Sequence, residues 1–216
     1  MPVEVKICGL STPETLDAAL DAGASYVGLV FYPKSPRHVS LATARALAER
    51  ARGRARIVAL VVDADDATLF GIAREVKPDL FQAHGNETPE RISAIRALTG
   101  IPVAKAIRVK DAADIAAAAQ FQNAAAFILY DAKAPETLKG LLPGGNGHAF
   151  DWSLLGEAAD PGTFMLAGGL NPANVAEAIR VTGAPMVDVS SGVEKAPGVK
   201  DVALIRKFIE AAKSAR

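Results

Sequence analysis

Short apolar runs alternate with longer amphipathic stretches along the whole chain. The runs span residues 3–8, 26–31, 57–62, 80–83, 102–107, 127–130, 164–167 and 186–189. They are rich in Val, Ile, Leu and Phe, and several are closed by Gly or Asp, which are marks of buried strands. Between them, residues 13–22, 41–52, 67–76, 89–99, 172–182 and 200–213 carry the three- and four-residue apolar spacing of helices. Leu204, Ile205, Phe208, Ile209 and Ala212 trace one such stripe. Residues 112–126 are Ala-rich but broken by Asp114, Gln120, Gln122 and Asn123, and read as a helix followed by a turn. Thr12-Pro13-Glu14, Thr88-Pro89-Glu90 and Asn171-Pro172 each put a capping side chain before a proline at the first helical position.

Eight strand–helix units at a spacing of about 25 residues predict a parallel β/α architecture. A closed eight-stranded barrel and an open doubly wound sheet share that cadence. The count of eight favours closure. The first turn, Cys8-Gly9-Leu10-Ser11, also lacks the Gly-x-Gly-x-x-Gly of a dinucleotide-binding sheet. No linker or composition shift divides the chain. The expected fold is therefore α/β, one single-domain (β/α)8 TIM barrel over residues 1–216, near the minimal length for it.

Composition narrows the partners. Twenty-four Lys+Arg balance 24 Asp+Glu, which argues against a dedicated nucleic-acid or membrane-surface binder. One cysteine cannot form an intramolecular disulfide, and half the residues are hydrophobic, enough for a core without staples. The start of the chain has no basic, apolar leader and no run is long enough to span a membrane, so a cytoplasmic protein is expected. His38, His84 and His148 are scattered without metal-ligand spacing, and no metal site is expected.

Candidate chemistry gathers at the predicted strand ends. Ala167-Gly168-Gly169-Leu170-Asn171 and Ser190-Ser191-Gly192-Val193-Glu194 follow strands seven and eight, where barrel enzymes commonly cradle phosphate on backbone N–H groups. A single glycine turn needs no ligand to explain it; the adjacent pair points to a phosphate site. Cys8 closes strand one, either as a buried small hydrophobe or as a base facing the mouth. Asp131 follows an apolar run, either as a loop cap or as a carboxyl kept protonated for acid catalysis. Arg37, in a loop stiffened by Pro33 and Pro36, is a solvated charge or a carboxylate clamp. Gln82 and His84 close strand four and either could reach the mouth. A long loop, residues 132–149 with Gly144-Gly145-Asn146-Gly147-His148, is expected to lie over that mouth. Lys6 shares a face with Cys8, and barrel closure would bring Asp188 beside it, giving a buried ion pair beneath the thiol.

These residues resemble the motifs of the phosphoribosylanthranilate isomerase family. Lys6-Ile7-Cys8-Gly9, Gly28 to Arg37, Gln82-Ala83-His84-Gly85, Asp131-Ala132-Lys133, the 144–147 glycine loop with Phe150-Asp151-Trp152, and the two glycine turns occur in family order across nearly the whole chain. The resemblance implies a (β/α)8 barrel that isomerises N-(5-phosphoribosyl)anthranilate to the deoxyribulose phosphate in tryptophan biosynthesis, without a cofactor. It puts the general base on Cys8, the general acid on Asp131 and the anthranilate carboxylate on Arg37. It puts the phosphate on Gly168, Gly169, Ser191 and Gly192. Gln82, His84 and Asp188 are candidate pocket residues by their strand positions. The resemblance also implies a small-molecule substrate, no nucleic-acid or membrane partner, and a monomer rather than a homodimer. Ala83, Ala132 and Asn146 depart from the usual leucine, serine and threonine, and bear on pocket shape and loop mobility. Alternatives of other kinds are another phosphosugar-processing barrel, or a non-catalytic phosphosugar-binding protein. The first would use a lysine–glutamate set or paired aspartates; the second has no need of an acid and a base together.

Overall fold

The computed structural model describes residues 2–132, 151–158 and 164–215. Eight parallel strands close into a barrel in chain order: β1 (Glu4–Cys8), β2 (Tyr26–Phe31), β3 (Arg56–Val61), β4 (Leu80–Ala83), β5 (Val103–Val109), β6 (Ile128–Ala132), β7 (Phe164–Leu166) and β8 (Met186–Val189). The helices that follow them are α1 (Pro13–Asp21), α2 (Leu41–Ala51), α3 (Asp66–Glu75), α4 (Pro89–Thr99), α5 (Ala112–Ala117), α6 (Ser153–Ala158), α7 (Val175–Thr182) and α8 (Val202–Lys213). A two-stranded antiparallel hairpin, β9 (Glu194–Ala196) and β10 (Val199–Lys200), is inserted before α8. Among the described residues, no helix is long and apolar enough to cross a membrane.

Strand alternation divides the apolar residues between two cores. Val5, Ile7, Val27, Leu29, Phe81 and Val187 face outward and pack with helix residues such as Leu16, Ile92, Ile179 and Phe208. Tyr26, Val58, Leu80, Ala104, Ala106, Leu129, Met165 and Met186 fill the barrel itself. On β4, β6 and β8 the next inward positions after Leu80, Leu129 and Met186 are Gln82, Asp131 and Asp188, so that side of the barrel interior becomes polar toward its C-terminal mouth. Register β1–β8 pairs Lys6 with Asp188 and β5–β6 pairs Arg108 with Asp131.

Several boundaries differ from the sequence expectation, and three matter. β6 runs on to Ala132, so Asp131 lies within the strand and shares the inner face with Leu129. Helix α7 begins at Val175 rather than Pro172, because Asn171 and Asn174 spend their side chains on a turn: Asn174 Oδ1 accepts from Asn171 N at 2.8 Å, and Asn171 Oδ1 accepts from Ala173 N at 2.8 Å. Thr12 and Thr88, by contrast, cap α1 and α4 as expected, each accepting a backbone N–H at 3.3 Å. Finally, Lys200 belongs to β10 and not to α8, whose cap is Asp201. The helical stripe ends there because Lys200 turns into the protein to meet a carboxylate. The expected loop over the mouth, with Asn146 and His148, lies outside the described residues.

Candidate active site

The strand ends bring most of the expected residues to one mouth. Cys8 on β1, Gln82 on β4, Asp131 on β6 and Asp188 on β8 all occupy inward positions, and His84 follows β4 directly. Each is buried. β6 and β1 stand three strands apart round the ring, so a carboxyl and a thiol flank the opening.

The carboxyl is held from two sides. Asp131 Oδ1 accepts from the backbone N–H of Ala132 at 2.9 Å. Its Oδ2 lies 3.1 Å from His84 Nε2, while His84 Nδ1 lies 2.9 Å from the Gln82 amide nitrogen. A donating amide makes Nδ1 an acceptor, which leaves the ring proton on Nε2, aimed at Asp131. Gln82, His84 and Asp131 therefore form a single chain of hydrogen bonds.

Beneath the thiol, Lys6 Nζ donates to Asp188 Oδ1 at 2.9 Å. The pair inferred from strand alternation and barrel closure is thus formed. Burial works against the Lys6 ammonium, yet the charges of Asp188 and Cys8 outweigh it and hold its pKa above the ordinary value. Burial pushes the Cys8 thiol up, with Asp188 adding to the rise, while Lys6 and Lys200 pull it back without cancelling it.

Arg37 stands at the rim, and its guanidinium does not extend into solvent. Nε and Nη2 donate to the two oxygens of Glu194 at 2.7 and 2.9 Å. Glu194 also accepts from Lys200 Nζ at 2.6 Å and from Gly198 N at 3.2 Å. Lys200 donates in turn to the Ser190 carbonyl at 3.0 Å, and Ser190 Oγ donates to the Cys8 carbonyl at 3.2 Å. Burial opposes ionisation of Glu194, but Arg37 and Lys200 prevail and hold its carboxyl below the usual range. The same burial outweighs Glu194 at Lys200 and lowers that ammonium.

The two glycine turns meet. Gly168 and Gly169 both take positive φ, +84° and +65°. A Cβ on Gly168 would stand 2.7 Å from the Ala132 Cβ, so the turn after β7 sits directly against the end of β6. A Cβ on Gly192 would strike the Leu170 carbonyl, so the turn after β8 touches the one after β7. Ser191–Val193 forms a single 3-10 turn there. Ala132 is thereby explained as a small residue at a close approach, and Ala83 is fully buried in the outer core.

Two groups escaped sequence reasoning. Lys200 was hidden by a helical pattern that extends past the true start of α8. Glu87 braces the loop after β4. Its carboxylate accepts from Asp63 N at 2.9 Å, Gly85 N at 2.9 Å and Lys105 Nζ at 2.8 Å. A lysine inside the apolar run 102–107 was the available signal for that pair.

The profile of the N-(5'-phosphoribosyl)anthranilate (PRA) isomerase family matches residues 5–211. The chain belongs to this family. An N-(5'-phosphoribosyl)anthranilate isomerase of Bradyrhizobium sp. (strain ORS 278) is 54% identical over 215 residues, covering 100% of this chain and 97% of the relative. The crystal structure of phosphoribosyl anthranilate isomerase from Thermotoga maritima superposes with a TM-score of 0.87 at 37% identity, covering 98% of each chain. A phosphoribosyl anthranilate isomerase crystallised with reduced 1-(o-carboxyphenylamino)-1-deoxyribulose 5-phosphate does so with a TM-score of 0.84 at 35% identity, again covering 98% of each. These two members of the PRA isomerase family thus share the fold over 98% of the chain.

Proposed function

We propose that this chain isomerises N-(5'-phosphoribosyl)anthranilate to 1-(2-carboxyphenylamino)-1-deoxyribulose 5-phosphate, the Amadori step of tryptophan biosynthesis. The observation that carries this reading is the placement of Cys8 and Asp131 on the inner faces of strands flanking one mouth. Such an arrangement supplies a base and an acid to the two sides of a sugar. Family membership supports the substrate.

Asp131 gives its proton to the ribose ring oxygen as the C1–O bond breaks, and the anilino nitrogen lone pair forms the iminium. The iminium acidifies the C2 proton, which Cys8 takes as thiolate; the C2–H electrons form the C1–C2 double bond and neutralise nitrogen. The enolamine then gives its C2 hydroxyl proton to water and takes one from water at C1, leaving the C2 ketone, while Cys8 releases the proton it took and Asp131 regains the one it gave. Proton transfer by positioned groups of this kind is worth roughly 10²–10⁴-fold each. His84 fixes the plane of the Asp131 carboxyl through its 3.1 Å contact. The turns containing Gly168, Gly169, Ser191 and Gly192 hold the phosphate on main-chain N–H groups. Arg37, oriented by Glu194, holds the anthranilate carboxylate. Gripping both ends of the substrate contributes orientation. All these groups come from one chain, so a monomer suffices.

Complementation of a tryptophan auxotroph lacking this isomerase tests the reading. Wild type is expected to restore growth, and Cys8→Ala and Asp131→Asn are expected to fail with purified activities down by roughly 10²–10⁴. A well-expressed wild type that does not complement would remove the assignment. Undiminished variants would remove the acid and base roles.

A further inference from the structure

The mechanism above makes no use of the most deeply buried charge in the barrel. Lys6 is 1% exposed and lies two residues below Cys8 on the same inner face of β1. A buried ammonium is costly in itself, and a well-packed apolar pair would serve packing as well or better. What distinguishes Lys6 is its neighbours. Asp188 accepts from Nζ at 2.9 Å on one side. On the other, the same small space above Gly28 is bordered by both Cys8 Sγ and Lys6 Nζ: a Cβ built on Gly28 would stand 3.0 Å from the sulfur and 3.2 Å from the nitrogen. The absence of a side chain at residue 28 leaves the ammonium facing the thiol.

We propose that Lys6, anchored by Asp188, is a positioning residue that stabilises the thiolate of Cys8 from beneath. The proposal rests on the reading of Cys8 as the general base. When the thiol ionises, the S–H bond breaks and the proton passes to water. The electron pair stays on sulfur against the ammonium, which keeps its own three protons. The thiolate later takes up the C2 proton. Charges facing Cys8 come from three elements: Lys6 on β1, Asp188 on β8 and Lys200 on β10. Lys200 is itself engaged by Glu194 and faces Arg37. Burial and Asp188 oppose the thiolate, whereas the charges of Lys6 and Lys200 favour it. Asp188 therefore has two effects on Cys8: it keeps Lys6 charged and in place, and it repels the thiolate more weakly than Lys6 attracts it.

Cys8 is the sole cysteine, so thiolate formation can be read without substrate. The experiment follows thiolate ultraviolet absorbance against pH, with Cys8→Ser as the blank for tyrosine ionisation. It compares wild type with Lys6→Met/Asp188→Leu, which removes both members of the ion pair and leaves no orphaned charge. The midpoint is expected to rise by about one pH unit, so that the thiolate fraction at a fixed pH below both midpoints falls about tenfold. An unchanged or lowered midpoint in the folded double variant would overturn the proposal and leave the pair a packing element. A second measurement needs no variant at Lys6: the assigned carbon-13 resonance of Lys6 Cε in wild type is expected to step at the Cys8 midpoint and lose that step in Cys8→Ser. A flat resonance overturns the proposal even if the double variant does not fold. Because both readouts are free of substrate, failure of the isomerase assignment would leave these titrations intact, while failure of this proposal would leave turnover by wild type intact.

Discussion

At the scale of single residues, the site depends on which carboxylate each cation meets. Arg37 engages Glu194 through two parallel N–H···O bonds, a geometry that a lysine cannot reproduce. If Arg37 grips the anthranilate carboxylate, Arg37→Lys keeps the charge and loses the fixed plane. The expected result is a KM raised about tenfold, roughly the loss of one charge-assisted hydrogen bond, with kcat little changed. Steady-state kinetics over a substrate range decides it, and a fall in kcat at constant KM would count against a binding role. Cys8, Asp131 and His84 were open to inspection in the sequence because each sits where an apolar strand run stops. The meaning of Arg37 was not, since Glu194 is 157 positions away in the chain.

At the scale of elements, close backbone approaches govern the mouth. The turn after β7 passes so near the end of β6 that residue 168 has room for hydrogen only, and its φ of +84° is one that L side chains rarely adopt. Gly168→Ala is expected to cost at least about 1–2 kcal/mol from the left-handed backbone alone. The added methyl also displaces the turn that is proposed to receive phosphate. A lower thermal midpoint together with weaker competitive inhibition by inorganic phosphate is the expected pair of results. Retained phosphate inhibition would detach the turn from substrate binding. Strand and helix periods predicted these elements well because burial on a strand face or helix stripe repeats locally. The start of α7 and the β9–β10 hairpin were misread for an equally physical reason. Asparagine side chains chose a turn over a cap, and a lysine with helical spacing was claimed by a carboxylate.

Across the whole molecule, buried ion pairs tie the strands together in addition to their helical connections. Glu87 links the turns after β3 and β4 to Lys105 on β5. Burial opposes its ionisation, but the Lys105 charge and hydrogen bonds outweigh it and lower its pKa below the ordinary 4.5. A depressed carboxylate stabilises the fold fully above the unfolded value and loses that contribution as pH falls through the folded one. Glu87→Gln leaves Lys105 buried without its counter-charge. It is expected to cost ~3–5 kcal/mol in urea unfolding at neutral pH. The gap from wild type should narrow as the pH drops below about 4.5. A gap independent of pH would show that the pair contributes packing and no charge.

By itself, the sequence determined what depends on neighbours in the chain: eight strand–helix units, the inward side of each strand, the glycine turns, and Cys8 and Asp131 as groups at strand ends. It also made Lys6–Asp188 inferable, because alternation and closure together fix one geometry. The tertiary structure alone decided which other charges meet. Arg37 with Glu194 and Lys200, His84 with Asp131, and Lys105 with Glu87 are brought together by strand ends, and the segments that follow them, from separate parts of the chain. No period in the sequence encodes such contacts, because each is selected by the cost of leaving a charge buried and unpaired once the barrel has closed.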